Sequence, residues 1–248
     1  RLRTVTGVQT CALPISDVVL WLSASRSFRL PGGFDIGAAG SVPGQLFFAN
    51  PDIQPVDART LEVGARCDRS RWLCGSVAYY YSEVRDDILF DPFTFQNQNF
   101  DSIRQGVELT LTSRPLDWFD VYYTTAFTDA RFDGGTYDDN RLPLVPAWQL
   151  TGGVNVRPVA GLHLTLEAVH VRDQFANNDL TNSVPDNQYT LLNAKASYRW
   201  KWLTVFGAVN NLLDRPYQSY PAVTSGVQQR GFNPAPGINA QAGASVTW

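Results

Sequence analysis

Methionine is absent from the 248 residues, histidine occurs twice and cysteine three times. Without the residue on which translation starts, the chain is expected to be a piece of a longer one. So few histidines and cysteines leave no transition-metal ligand spacing, and no glycine-rich phosphate loop or nucleophile elbow is present. The net charge of -3 and pI near 5.3 give no basic footprint for nucleic acid. No apolar run approaches the roughly 18 residues of a membrane-spanning helix. That shortage leaves a β-barrel open, because spanning strands alternate lipid-facing and lumen-facing residues and average out to a mean hydropathy such as the -0.18 found here.

What is present begins with a segment set apart from the rest. Val5-Thr-Gly-Val-Gln-Thr-Cys-Ala-Leu-Pro-Ile15 resembles the in-frame translation of a common DNA-sequencing adapter. Residues 1–16 are therefore read as an artefact, loosely attached, and the native sequence as 17–248. Cys11 goes with the artefact and leaves Cys67 and Cys74.

Beyond residue 16 the chain has a beat. Short turns recur about every 45 residues, at 68–71, 114–117, 158–161 and Lys201, and long polar segments fall between them at 29–57, 91–97, 133–146, 173–187 and 214–239. Alternation and turn punctuation predict ten strands, at 18–28, 58–68, 72–88, 98–113, 117–132, 147–157, 161–173, 188–200, 202–211 and 238–248. Leu61, Val63, Ala65 and Cys67 share one face against Glu62, Gly64 and Arg66; Val107, Leu109 and Leu111 oppose Glu108, Thr110 and Thr112. A soluble sandwich shows the same period with the apolar face inward. Three features favour a transmembrane barrel: strands of ten or more residues, a polar face carrying Glu, Arg, Lys and Asn, and aromatics at strand ends. Trp72, Trp118, Trp200, Trp202 and Trp248 all fall at the short-turn end, as an interfacial girdle requires. The fold class is an all-β, antiparallel up-and-down transmembrane β-barrel fragment of about ten strands, expected as an open trough.

An aromatic last residue on an alternating strand resembles the signal read by the outer-membrane barrel assembly machinery. It would place Trp248 and the short turns in the periplasm and the long loops outside, where function is expected. Cys67 and Cys74 flank the first short turn. In an oxidising periplasm they would form a cross-strand disulfide if they face each other; otherwise they are two small residues at strand ends.

The loop and strand motifs resemble those of TonB-dependent outer-membrane receptors. They are Ser27-Phe-Arg-Leu-Pro31, Asn50-Pro-Asp-Ile-Gln-Pro55 followed by Leu61-Glu-Val-Gly64, Gln105-Gly-Val-Glu-Leu109, Asn210-Asn-Leu-Leu-Asp214 with Tyr217, and Phe232-Asn-Pro-Ala-Pro-Gly237. Val56 departs from the family's usual Glu, and Ile238-Asn239 from its usual Arg-aromatic. The resemblance implies a part of a 22-stranded barrel, with the plug domain and the TonB-contacting segment lying outside this chain. It implies uptake of a large, scarce solute, foremost a ferric siderophore, energised by the TonB complex, in the outer membrane of a Gram-negative bacterium, with no cofactor and no enzyme chemistry. Its partners would be outer-membrane lipid, the solute, TonB and the barrel assembly machinery. A passive porin and a ten-stranded outer-membrane protease using His170 are the alternatives.

The loops carry aromatics and cations suited to an anionic, planar ferric chelate: Phe47, Phe48, Phe93, Phe95, Tyr137, Arg141, Tyr217, Arg230 and Phe232. Loop packing or an outer aromatic girdle is the competing reading for each of them. The Asp133-Gly-Gly-Thr-Tyr-Asp-Asp-Asn140 segment offers carboxylates to calcium but reads first as a hairpin tip.

Overall fold

The computed structural model describes residues 7–15, 17–36, 48–67, 72–184, 188–224, 229–231 and 233–247. Its main sheet is antiparallel, with strands β1 (Gly7–Ile15), β2 (Val18–Arg29), β3 (Val56–Cys67), β4 (Cys74–Asp91), β5 (Gln96–Leu116), β6 (Phe119–Phe132), β7 (Trp148–Val156), β8 (Leu162–Arg172), β9 (Tyr189–Trp200), β10 (Leu203–Asn210) and β13 (Asn239–Val246) in spatial order. Each strand pairs with its neighbour in the chain, and β1 and β13 form two separate edges, so the sheet is an open up-and-down meander. The last long connection contains a small hairpin, β11 (Ala222–Thr224) with β12 (Gln229–Gly231). A single helical turn, α1 (Gly33–Ile36), lies after β2. The ten strands expected after residue 16 all form, displaced by a few residues at their ends.

Two differences follow from edges and length. Residues 7–15 are not loose: they pair with β2 throughout, from Gly7 opposite Arg26 to Ile15 opposite Val18. An unpaired strand edge presents N–H and C=O groups to any extended segment that reaches it. Pro14, which lacks an N–H, is tolerated because β1 is itself an edge. The stretch 91–97, read as a long loop, is a short turn on a tall hairpin. After a register shift between Val84 and Asp87, β4 and β5 continue pairing up to Asp91 opposite Gln96.

The two faces of the sheet separate by chemistry. Leu22, Val63, Tyr79, Val107, Phe127 and Trp148 stand opposite one another in successive strands and form an apolar row. Leu61 is 52% exposed and Val63 50%, and their neighbours along this face are likewise open. Along β2, Leu20 and Leu22 are exposed while the intervening Trp21 and Ser23 are half-buried. A sandwich would have it the other way round. The only cluster of buried apolar side chains among the described residues lies at the long-loop end, where Ala130 and Phe132 close β6 against Tyr137, Leu142 and Leu180. With no second layer over it among the described residues, the apolar face belongs against lipid.

The other face is polar and closely packed by rings lying over glycines in the next strand. A Cβ on Gly153 would come within 2.5 Å of the Tyr122 ring, one on Gly106 within 2.7 Å of the Tyr80 hydroxyl, and one on Gly243 within 2.6 Å of Phe206. Trp21 covers Gly64 in the same way. The rings' polar tips are satisfied across strands: Trp21 Nε1 donates to Glu62 at 2.6 Å and Tyr122 Oη to Glu167 at 2.7 Å. These pairs need glycine for close approach, and they join adjacent strands without a hydrophobic core.

Cys67 is opposite Gly75, one position out of step with Cys74. Opposed residues share a face and consecutive residues alternate, so the two thiols leave the hairpin on opposite sides. They are not bridged, which corrects the expectation of a disulfide.

Candidate ligand-facing rim

The long-loop end is held together mostly by side chains gripping backbone. Between β6 and β7 the chain turns at Gly134 and Gly135, both with positive φ, into the single 3-10 turn Gly135–Tyr137. Tyr137 is buried against Phe100 and Phe132, with ring centroids 5.8 Å away in each case, and Leu142 and Leu180 complete the cluster. Burial, with the neighbouring Asp91 carboxylate to which it is hydrogen-bonded, raises the Tyr137 hydroxyl above its ordinary pKa. The carboxylates offered to calcium serve the turn: Asp138 accepts from the Gly134 N–H at 2.7 Å, and Asp139 accepts from Arg131 at 3.0 Å. Among the described residues no three His, Cys, Asp or Glu side chains converge on a metal position.

The next loop, 173–188, is fastened to this one. Asn182 accepts from the Arg141 N–H at 2.6 Å and donates to the Arg141 carbonyl at 2.9 Å. Asn140 Nδ2 donates to the Leu180 carbonyl at 3.0 Å. Asp179 is almost wholly buried and accepts from the Ser183 N–H and hydroxyl and from the Val184 N–H, at 2.9 to 3.0 Å. A buried carboxylate holding several donors fixes the loop's path because leaving any of them unpaired costs about 1–3 kcal/mol.

On the other side, the segment after β2 is stitched to the tall hairpin. Asn97 Nδ2 donates to the carbonyls of Phe34 and Asp35, Asn50 Nδ2 to that of Asn97, and the Phe48 N–H to that of Phe95. Three phenylalanines thereby stand exposed together at the hairpin tip: Phe34, Phe48 and Phe93. In the last connection, Asn211 exchanges two hydrogen bonds with the Arg215 backbone, and Asp214 accepts from the Ile238 N–H at 2.8 Å. The Asn-Leu-Leu-Asp motif thus folds the chain out of β10 and receives it again at β13. Tyr217 stacks on Tyr189 at 4.8 Å. From the polar wall, Tyr122, Glu167, Asn193 and the Asn211 N–H form one hydrogen-bonded chain up to this loop.

Of the residues singled out from sequence, Phe48, Phe93 and Phe95 come together at the hairpin tip, Tyr137 packs inside the loop cluster, and Tyr217 lies apart on Tyr189. Arg141 bridges to Arg131, which alternates with Phe127 on the apolar face, so it is directed to the outside of the wall. Arg230 is in β12, with its side chain outside the described residues, as are Phe47, Phe232 and Trp248. Phe34 was missed; its only signal was an aromatic next to Gly32-Gly33. Trp72, Trp118, Trp200 and Trp202 are exposed at the short-turn end. His170 pairs in register with Thr190, shares a 2.8 Å hydrogen bond with its hydroxyl, and lies on the same face as Phe127 and Trp148.

Comparison with known proteins agrees with this geometry. The family profile described as TonB dependent receptor-like, beta-barrel, matches residues 10–212. Among solved structures, the copper transporter OprC superimposes with a TM-score of 0.79 at 17% identity, over 98% of this chain and 39% of its own. The siderophore receptor PiuA from Acinetobacter baumannii gives 0.73 at 20% identity, over 97% and 35%. The ferric yersiniabactin uptake receptor FyuA from Yersinia pestis gives 0.69 at 19% identity, over 96% and 35%. The chain spans less than half the length of the structures it matches. A profile match covering most of the chain, on an open antiparallel wall with a bare apolar face, makes this protein a member of the TonB-dependent receptor family, a family of outer-membrane transport receptors, and the chain a part of its β-barrel.

Proposed function

We propose that the protein is the barrel wall of a receptor that takes up a large, scarce solute, foremost a ferric siderophore, with energy delivered through TonB to a plug and N-terminal segment. The observation that carries this reading is the wall itself: one apolar face against lipid, one polar face lined with Glu62, Glu108, Glu167 and Lys195, and loops locked into a rim above it. The structures it resembles are named as siderophore receptors and a copper transporter, which favours a metal-bearing solute. A passive porin needs no such rim. The receptor acts without covalent chemistry, as a carrier and not as an enzyme.

Solute contact falls to the exposed tip aromatics Phe48 and Phe93 together with Phe47, Phe95, Tyr217, Arg230 and Phe232. Tyr137 supports the rim from within, and Arg141 has the weakest claim because it is directed outwards. In the full-length receptor, Phe93→Ala with Phe48→Ala is expected to weaken binding of ferric siderophore about tenfold, measured by equilibrium binding to whole cells. Binding that is unchanged in this variant and in Arg230→Ala would discard the assignment. Uptake is expected to stop when the proton gradient is collapsed; uptake that persists would point to a passive channel.

The long loops are extracellular, and the short turns and Trp248 periplasmic, where the barrel assembly machinery would read the terminal aromatic. An epitope inserted at 185–187 should be labelled on intact cells and one at 158–161 should not. Residues 1–16 are foreign to the receptor, and β1 occupies the place of a native strand. Sequencing the locus from independent DNA tests this: an upstream frame encoding the same Val5–Ile15 stretch would refute it.

A further inference from the structure

On the apolar face at the long-loop end, two arginines stand directly opposite each other: Arg26 on β2 and Arg59 on β3. Like charges in that arrangement repel. They share one carboxylate, Asp57, which Arg26 grips through two hydrogen bonds of 2.8 and 2.9 Å and Arg59 meets at 3.6 Å. Arg85, opposite Asp57 on the same face, makes no ion pair among the described residues. A second carboxylate, Glu83, is opposite Arg59 and accepts from the Tyr81 hydroxyl at 3.4 Å, and Asp101, across the β4–β5 register shift from Arg85, accepts from the Asp86 N–H at 2.9 Å. Around Asp57 the cations are outermost: the side chains of Arg26 and Arg59 are 66% and 56% exposed, that of Asp57 24%.

Ala24, Leu61, Tyr81 and Glu83 stand beside this group on the same face. Below them begins the lipid-facing stripe, since Leu61 is followed on that face by Val63 and Ala65. Two residues along a strand span about 7 Å, so the arginines lie where acyl chains give way to headgroups. Arginines on an outward face at that level serve no solute in the bore.

We propose that Arg26 and Arg59, with Arg85 beside them, bind the phosphate of a phosphorylated lipid headgroup, whose acyl chains run down over Leu61 and Ala24. A guanidinium engaged with Asp57 through Nε and one Nη still has donors to offer, and planar forks match phosphate oxygens in pairs. The site depends on the apolar face being turned to lipid and is independent of the nature of the solute.

The test uses the full-length receptor purified in mild detergent, with native mass spectrometry as readout. The probes are lipid A, the same lipid after dephosphorylation, and inorganic phosphate. Lipid A should be retained by the wild type and at least about tenfold less by Arg26→Gln with Arg59→Gln, while Arg26→Lys with Arg59→Lys should keep most of it. Heat-modifiable migration on gels shows that each variant is a folded barrel, and siderophore binding should be the same in all. Equal retention by the glutamine variant, or retention indifferent to dephosphorylation, would overturn the site. Displacement by inorganic phosphate at equal concentration would show a free anion and not a headgroup, which also overturns it. A receptor that bound no siderophore would leave the lipid result readable on its own.

Discussion

At one end of the sheet two residues suffice to reverse the chain, Asp117-Trp118 between β5 and β6 and Lys201-Trp202 between β9 and β10. At the other, the connection from β10 to β13 runs over 211–238 and needs Asn211, Asp214, Tyr217 and a small hairpin to hold it. The short end is set by strand geometry and by tryptophans that keep an indole N–H wet at an interface. The long end uses strand pairing in the tall β4–β5 hairpin and the small β11–β12 one, and elsewhere relies on Asn and Asp side chains binding backbone groups. One end anchors the barrel; the other presents a surface whose shape can change without disturbing the wall.

The comparison can be broken most forcefully at the wall. Val63→Arg in the full-length receptor, at the middle of the lipid-facing stripe, is expected to cost about 2–4 kcal/mol of folding stability in vesicles. The corresponding Glu108→Arg on the polar face should cost far less, and equal losses in denaturant titrations would contradict the assignment of faces.

Next in size is the packing of rings over glycine. Gly153→Val places side-chain atoms inside the Tyr122 ring and is expected to destabilise the barrel by about 1–3 kcal/mol, with Tyr122→Ala in the same chain restoring part of the loss. Additive effects of the two changes would show that the ring is not the obstacle.

At the rim the effect should be local. Asp179→Ala removes the acceptor of several buried donors and is expected to raise amide exchange across 173–184 by at least about tenfold while leaving exchange in β8 and β9 as it was. Protection lost in the strands as well would mean that the two ends are not independent.

The smallest effect is set by pH. The raised Tyr137 hydroxyl favours the neutral ring in the folded loop. Its contribution is complete below the ordinary tyrosine pKa and is lost as pH rises through the folded value. Loop exchange should therefore rise more steeply in wild type than in Tyr137→Phe above about pH 10. Parallel curves would remove Tyr137 from the account.

Strand positions and the identity of the faces were legible because a period of two residues is a local property, as Leu61, Val63 and Ala65 against Glu62 and Gly64 illustrate. The last-loop motif was visible too, but its two anchors, Arg215 and Ile238, were not. Loop aromatics looked alike in sequence; Tyr137 is buried and Phe93 exposed only because Phe100, Phe132 and Leu180 come together from three different segments. In sequence Arg141 fits solute contact and loop packing alike; its bridge to Arg131 turns it outwards.

By itself, then, the order of residues determined the number of strands after residue 16, their up-and-down sequence and which stripe is greasy, since each depends on neighbours along the chain. Tertiary structure alone decided the offset that keeps Cys67 from Cys74, the pairing of residues 7–15 with an open edge, and the meeting of Arg26 with Arg59. These depend on register between strands, which hydrogen bonds across the sheet set and composition does not.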